Sequence, residues 1–370
     1  MIAVAFILLA YTLLVATYYG AWKKIKPPVV NASCHALITV VVAVRNEELK
    51  VAALIRSLAA QTIPVGNFEV IIVNDHSTDA TVNVALQHLQ KTTLNYKLIN
   101  LPEANEGKKA AIALGVSHAS GTLIATTDGD CEVPVSWLST IGSHYANNKP
   151  SMMLMPVALT GSSFIAQMQA MEFVSLTGVT GASLLLKKPM MCNGANLAFE
   201  KSVYEKIPRD FFKPAIPSGD DAFFMLHIFH QLALKVDYLQ STDVVVKTEA
   251  QKTVAAFLQQ RIRWTAKLTG YDQRYITLIG WLVLLSSLSV WAVACYLPFA
   301  PLTLKIVLLM CVSGKLLADL FFIKKVAKDT AQKFSPSAFI CWQFAYAVYV
   351  LVVTAAALFN CFTWKGRKYD

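Results

Sequence analysis

Charge is what this sequence has little of. Charged residues make up 15% of the 370-residue chain, and hydrophobic residues 55%. An ordinary soluble domain carries about 25% charged residues, so this balance is too apolar for one, and the uneven apolar excess has to be located along the chain. Also missing is any C-x-x-C pair among the seven cysteines, at positions 34, 131, 192, 295, 311, 341 and 361. A zinc site then has no framework, and the plain expectation is reduced, structural thiols in a cytosol-facing protein. There is no internal repeat and no low-complexity linker. A basic stripe interleaved with aromatics is absent too. The formal net charge is +10, but nine of the basic residues flank apolar runs, where anionic lipid headgroups account for them. Nucleic acid is therefore set aside as a partner.

Long apolar runs are what the sequence does have. Residues 2–21 carry no charge and reach the roughly 20 residues that span a hydrocarbon core as a helix. No basic residue precedes this run, unlike a secretory signal, whereas Lys23, Lys24 and Lys26 follow it. The positive-inside rule then places the N-terminus outside and residue 23 onward in the cytoplasm. Three more candidate spans cover about 276–297 (closed by Pro298), 302–323 (followed by Lys324, Lys325 and Lys328) and 339–362 (followed by Lys365, Arg367 and Lys368). Four spans that begin outside also end outside, which puts the basic tail on the wrong side, so whether the last segment fully crosses stays open. The expected organisation is a transmembrane anchor at 1–22, an α/β domain with interfacial helices at 36–272 and a transmembrane region at 273–370. That describes a multi-pass protein of the plasma or inner membrane with its central domain in the cytoplasm.

Within 36–272 the pattern alternates strand and helix. Residues 36–44 form a continuous β-branched run, the mark of a strand buried on both faces. A helical pattern follows over 47–60, then a strand at 68–73, a helix at 78–89, a strand at 96–101, a helix at 108–119 and a strand at 122–127 that ends at Asp128. Such alternation implies a mainly parallel sheet, and ligands of such sheets sit beyond the carboxyl ends of the strands. Further on, 134–146 reads as helix and 152–159 as strand. The apolar stretch 164–186, interrupted by Gly178 and Gly181, is expected to lie against the membrane. Residues 253–268 are amphipathic, with Arg261, Arg263 and Lys267 among Phe257, Leu258, Ile262 and Trp264, as in an interfacial helix.

Chemistry-bearing residues collect at the expected strand ends. Asn46, Glu47 and Glu48 follow the first strand, and Asn74, Asp75, His76, Ser77, Thr78 and Asp79 the second. Helix capping accounts for these residue types equally well. The functional alternative is that both loops converge on one ligand, with an Asp accepting from the N–H of a pyrimidine ring. Asp128-Gly129-Asp130 closes the fourth strand. It is either a turn or a pair of hard oxygen ligands for Mg²⁺ or Mn²⁺ beside a diphosphate. Lys108, upstream in Asn105-Glu106-Gly107-Lys108, is able to meet the same phosphate. Ser218-Gly219-Asp220-Asp221 opens a helix running from 222 to about 230. One Asp there is an ordinary cap, but two neighbouring carboxylates raise each other's proton affinity, which suits a general base acting on an alcohol. His227 and His230, three apart on that helix, are expected on a packed or solvated face. Gln260-Arg261-Ile262-Arg263-Trp264 fits an interfacial helix with snorkelling cations. It also fits a diphosphate contact by Arg263 beside a stacking wall from Trp264.

In order and type these residues resemble the membrane-bound members of glycosyltransferase family 2, which have the GT-A fold. The resemblance rests on Asp75, on Asp128 and Asp130, on the acidic pair Asp220-Asp221 and on Gln260, Arg263 and Trp264. It covers about residues 38–268. It implies that Glu47, Asp75 and Lys108 hold the nucleotide, Asp75 near uracil. Asp128 then contacts the donor, Asp130 the metal, and Asp221 is the catalytic base. Gln260, Arg263 and Trp264 close over the diphosphate and the acceptor end. Gly219 and Asp220 depart from the residues usual before the base, which implies acceptor contacts different from the family's, and Cys192-Asn193-Gly194-Ala195-Asn196 resembles the family's acceptor-side loop.

The expected function is inverting transfer of a sugar from a nucleotide sugar, UDP-linked by resemblance, to a membrane-associated lipid or growing glycan. A processive polysaccharide synthase is the first rival, although three C-terminal spans are few for a polymer channel. A non-enzymatic nucleotide-sugar binder is the second, opposed by the intact Asp128, Asp130 and Asp221. A transporter would show ionisable residues along its path. The spans hold Lys305, Lys315 and Asp319, and the i, i+4 spacing of the last two suits a structural pair.

Overall fold

The β-branched run after residue 36 does form a strand, and its neighbours follow the expected order. The computed structural model describes residues 1–29, 36–208, 211, 220–266, 270, 272–358, 362–364 and 367–369. Cys34, Cys361, Ser218, Gly219, Lys267 and Lys365 lie outside the described residues. The helices are α1 (Ile2–Trp22), α2 (Val51–Ala59), α3 (Thr81–Leu89), α4 (Gly107–Ser117), α5 (Trp137–Asn148), α6 (Phe164–Leu185), α7 (Lys201–Glu205), α8 (Asp220–Leu226), α9 (Val254–Ala266), α10 (Arg274–Tyr296), α11 (Leu302–Asp329) and α12 (Pro336–Leu358). The strands are β1 (Ile38–Val44), β2 (Phe68–Asn74), β3 (Tyr96–Asn100), β4 (Leu123–Asp128), β5 (Cys131–Glu132), β6 (Met152–Leu154), β7 (Val157–Thr160), β8 (Leu197–Glu200), β9 (Val236–Tyr238), β10 (Val246–Glu249), β11 (Phe362–Trp364) and β12 (Arg367–Tyr369). The chain folds as two compact units: an α/β unit of Lys26–Thr160 and Met191–Glu249, and a helical unit of Met1–Ile25, Gly161–Met190 and Ala250–Asp370.

The α/β unit is built on a seven-stranded sheet in the order β3-β2-β1-β4-β8-β6-β9. Strands β3, β2, β1 and β4 are parallel, and β8 runs antiparallel to both β4 and β6. Ile38, Val40, Val41 and Val42 are fully buried, which is why β1 is apolar on both faces. The register sets Val44 beside Asn74 and Ala43 beside Asp128, so β1, β2 and β4 end level. A second sheet, β5-β10-β7, takes the other half of the segment expected as one strand over 152–159. That segment divides at Met155-Pro156 because proline has no N–H to give a ladder. The expected helix at 47–60 begins only at Val51. Asn46 stands at φ 52°, and the Glu47 N–H donates to Thr81 Oγ1 at 2.7 Å. The loop's donors are thus spent on tying it to the start of α3.

Among the described residues of the helical unit, four helices are long and apolar enough to cross a membrane: Ile2–Trp22, Arg274–Phe299, Leu302–Asp329 and Pro336–Ala357. Leu8 of α1 is buried against Val290 and Val293 of α10 and Leu308 of α11. Phe6, Leu278, Phe299 and Met310 are instead exposed to between 67% and 81%, an outer surface that suits lipid rather than water. Within α11, Lys315 donates to Asp319 Oδ2 at 2.8 Å and pairs with Gln343 of α12, while the Tyr11 hydroxyl of α1 donates to Asp319 Oδ1 at 2.8 Å. The i, i+4 pair is therefore structural, as expected. Helix α6 is continuous, and its glycines interrupt nothing. A Cβ at Gly178 would stand 2.6 Å from Phe322 and Val326 of α11, so glycine is needed for that close approach.

Candidate active site

The loops after β1 and β2 are sewn together by side chains. Thr78 N donates to Asn46 Oδ1 at 2.8 Å, Ala80 N to Glu48 Oε2 at 2.9 Å, and Glu48 N to Asp79 Oδ2 at 3.2 Å. Asp79 Oδ1 also accepts from Thr81 N at 3.0 Å. Despite some burial, these donors hold the Asp79 carboxyl below the usual carboxylate range. Bonding between the two loops, rather than the expected N-capping, thus occupies Asn46, Glu48 and Asp79, because the N-cap positions of α2 and α3 fall on Lys50 and Ala80, neither of which makes a side-chain cap bond. Glu47 and Asp75 face other work. Glu47 Cγ lies 3.2 Å from where a Gly129 side chain would begin, so it stands against the Asp128–Asp130 loop. Asp75 is 1% exposed and its Oδ1 accepts from Gly107 N at 3.1 Å, which ties the end of β2 to the start of α4.

The first turn of α4 carries two lysines, an arrangement the helix dipole disfavours. Acidic partners compensate. Lys108 Nζ pairs with Asp128 Oδ1, and Lys109 Nζ pairs with Asp220 Oδ1 at 2.7 Å. Burial works against the Lys108 charge, but Asp128 and then Asp221 raise its proton affinity above the ordinary lysine value. A Cβ at Gly194 would meet Asp221 Oδ2 at 3.4 Å and Lys108 Nζ at 3.5 Å. Asp75, Lys108, Asp128, Gly194 and Asp221 therefore form one contiguous cluster at the carboxyl edge of β1, β2 and β4, with Asp75 buried beneath it. Lys109 was not among the residues expected here. Its signal was the anomalous pair of cations at a helix start.

Asp221 is held from two sides. Gly194 N donates to Oδ2 at 2.7 Å and Ala222 N to Oδ1 at 2.9 Å. The turn carrying Gly194 is fixed by Thr126 Oγ1 of β4, which donates to Gly194 O at 3.1 Å. Asn196 anchors it further: fully buried, it donates to Pro156 O and Val244 O, both at 2.7 Å, and accepts from Trp137 Nε1 at 2.9 Å. In the acidic pair the raised proton affinity falls on Asp220. Burial pushes its carboxyl up to about 6, and Asp221 adds to this against the pull of Lys109. Past α8 the chain continues as a π-helical turn, His227–Gln231. His227 rests on Phe211, ring centroids 4.4 Å apart, so it packs as expected.

Asp130 is loosely held, with Thr248 Oγ1 at 3.4 Å and Lys50 Nζ at 3.8 Å. Among the described residues no group of three or more His, Cys, Asp or Glu is placed to hold an ion. Two hard carboxylates, Asp128 and Asp130, nevertheless fit Mg²⁺ or Mn²⁺, which bind through one or two carboxylates and take their remaining ligands from substrate phosphates and water.

Gln260, Arg263 and Trp264 belong to the helical unit, on α9. There the expected snorkelling of Arg261 is not found. Arg261 is 2% exposed and donates to both oxygens of Glu172 on α6, at 2.6–3.1 Å. Glu172 is the other residue that the sequence reading missed. A lone carboxylate in an apolar run was its signal, since such a group needs a partner.

A mainly parallel sheet with acidic residues at its carboxyl edge and an Asp-x-Asp loop defines a GT-A glycosyltransferase domain. Residues 39–208 match the family described as Glycosyl transferase family 2. One similar protein is Glycosyltransferase AglE of Haloferax volcanii, 30% identical over 27% of this chain and 33% of the relative. Another is the Dodecaprenyl-phosphate galacturonate synthase of Rhizobium johnstonii, 36% identical over 26% of this chain and 28% of the relative. The match thus spans about a third or less of these relatives' length. Among solved structures, the mannosyltransferase PcManGT of Pyrobaculum calidifontis, in complex with GDP-Man and Mn²⁺, shares the fold. The likeness covers 97% of this chain and 99% of that one, with a TM-score of 0.58 and 19% identity.

Proposed function

We propose that the chain transfers a hexose from a nucleotide sugar, UDP-linked by resemblance, to a hydroxyl of a membrane lipid or growing glycan, with inversion. The observation that carries this is the joining of Asp75, Lys108, Asp128 and Asp221 through Gly107 and Gly194 at the carboxyl edge of β1, β2 and β4. Asp75 and Glu47 select the nucleotide, and Lys108 meets its phosphate. Asp128 and Asp130 would hold a divalent ion, which would supply Lewis-acid stabilisation of the departing diphosphate. Asp221 takes the proton of the acceptor hydroxyl, the freed oxygen bonds to the anomeric carbon, and the bond from that carbon to the diphosphate breaks. By resemblance, Gln260, Arg263 and Trp264 serve the diphosphate and the acceptor end. The basic cluster Lys23, Lys24 and Lys26 supports a cytoplasmic face for this chemistry, so protease added outside intact cells should spare residues 36–272.

A second acceptor class, a lipid phosphate, is favoured by the name of the rhizobial relative. The test is incubation of membranes containing the full chain with labelled UDP-glucose, UDP-galactose, UDP-N-acetylglucosamine and GDP-mannose, followed by separation of lipid from polymer. Label in the lipid fraction from one UDP-sugar is expected. Label only in polymer selects the synthase, and transfer from GDP-mannose alone overturns the UDP assignment.

A further inference from the structure

Arg261 lies between two residues of the Gln260–Trp264 motif and touches both. Its Nη1 donates to Gln260 Oε1 at 2.5 Å, and its guanidinium stands 4.3 Å from the Trp264 ring centroid, with Phe257 at 4.7 Å. One cationic plane thus sets the orientation of the Gln260 amide and of the Trp264 indole. That plane is itself fixed from outside the helix. Nε and Nη2 of Arg261 donate to Glu172 of α6, and the Tyr349 hydroxyl of α12 donates to Glu172 Oε1 at 2.7 Å. Both charged side chains are at most 5% exposed. A buried pair of this kind is not needed for stability, because apolar residues of similar volume often serve as well. What an apolar pair lacks is direction. The bidentate fork allows a single rotation of the guanidinium. With Gln260 Oε1 turned toward Arg261, the amide presents its two N–H donors away from that contact. Such donors suit phosphate or hydroxyl oxygens.

We infer that Glu172, with Tyr349, is a positioning residue for transfer: through Arg261 it presents the donor face of Gln260 and fixes the plane of Trp264. This rests on the assignment of Gln260 and Trp264 to the diphosphate and acceptor end. It joins a helix of the 164–185 segment and the last long helix to the motif, all within the helical unit. A merely structural Glu172 would lower the amount of folded protein without changing the turnover of what folds.

The experiment uses the full chain in detergent, with 5-fluorotryptophan incorporated and the Trp264 resonance assigned by Trp264→Phe. Turnover is read with whichever sugar nucleotide of the panel above supports it. Glu172→Gln should shift or split the Trp264 resonance and lower kcat by about tenfold or more, with the donor KM changed less than about threefold. Tyr349→Phe should do the same to a smaller degree. If Glu172→Gln does not fold, Tyr349→Phe decides, since it removes one hydroxyl and keeps the ring. An unchanged resonance, an unchanged kcat, or a rise in KM alone overturns the inference. Trp264→Ala with wild-type turnover would instead overturn the assignment of the motif, while the fluorine signal still reports whether Glu172 orients the helix.

Discussion

Replacing Asp221 by Asn removes one acceptor oxygen and one charge, and the structure sets what each is worth. Both oxygens are in use: Oδ2 accepts from Gly194 N at 2.7 Å and Oδ1 from Ala222 N at 2.9 Å. Asn keeps one acceptor and turns an NH2 group toward the other N–H. One backbone donor then goes unsatisfied, at about 1–3 kcal/mol, so the variant should be measurably less stable than the wild type. If that were the whole effect, the variant that does fold would turn over normally. A lost general base instead lowers the rate by about 10²-fold or more, about 2.7 kcal/mol in activation free energy. Donor binding, assigned to Asp75 and Lys108, should stay within a few-fold. The assay is single-turnover transfer to a hydroxyl acceptor on protein normalised by its folded fraction, beside donor binding by calorimetry. Asp220→Asn is the control, because that side chain pairs with Lys109 and lies one residue from the assigned base. A normal rate in folded Asp221→Asn refutes the assignment. A larger loss at Asp220, the carboxyl that burial pushes up to about 6, moves the role by one residue.

Other consequences are equally specific. Asp130→Asn should abolish the divalent-ion requirement together with turnover, and full wild-type activity in excess chelator would remove the metal from the scheme. Asp220 has a folded pKa of about 6 against 3.8. A raised carboxyl opposes folding once ionised, so its penalty is absent below about pH 4, grows toward pH 6 and is at most about 3 kcal/mol above that. The stability difference between wild type and Asp220→Asn should therefore shift in favour of Asn as pH rises from about 4 to 7, as measured by thermal unfolding. Lys315→Met leaves Asp319 buried with its Tyr11 bond alone, and should cost about 3 kcal/mol; adding Asp319→Leu should recover most of it.

Local signals carried the α/β unit a long way. β1 is almost wholly apolar because both of its faces are buried, and a buried run needs no alternation to be recognised. The acidic residues fell at strand ends, where a parallel sheet puts its ligands. Failures arose where a partner is distant in sequence. Arg261 looks like a snorkelling cation until Glu172, 89 residues away, is seen beside it. Gly178 looks like a break until Phe322 and Val326 are seen to need the space. The late start of α2 depends on Thr81, the first residue of α3. None of these pairings leaves a trace in hydrophobic period. What does leave a trace is a residue out of keeping with its element. Two lysines open α4, and one Glu sits inside apolar α6. Each marks a partner elsewhere, though not which one.

The acceptor's chemistry can be drawn from the same carboxylate. An alcohol is a poor nucleophile at neutral pH and must lose its proton as it attacks, which is the work assigned to Asp221. A lipid monophosphate needs no such help: its second pKa is about 6, so at pH 7 it carries about −1.5 to −2 charge. Facing that acceptor, Asp221 offers only like-charge repulsion, partly offset by Lys108, which senses the Asp221 charge. Asp221→Asn should then slow transfer to a polyprenol by about 10²-fold or more, and leave transfer to the matching polyprenyl phosphate unchanged or faster. Comparing the two acceptors on one preparation separates chemistry from folding, because any structural damage falls on both equally. Equal loss with both would mean that Asp221 does no proton transfer and acts by holding Gly194 and the start of α8 in place. Loss confined to the alcohol would identify both the base and the class of acceptor the site was built to activate.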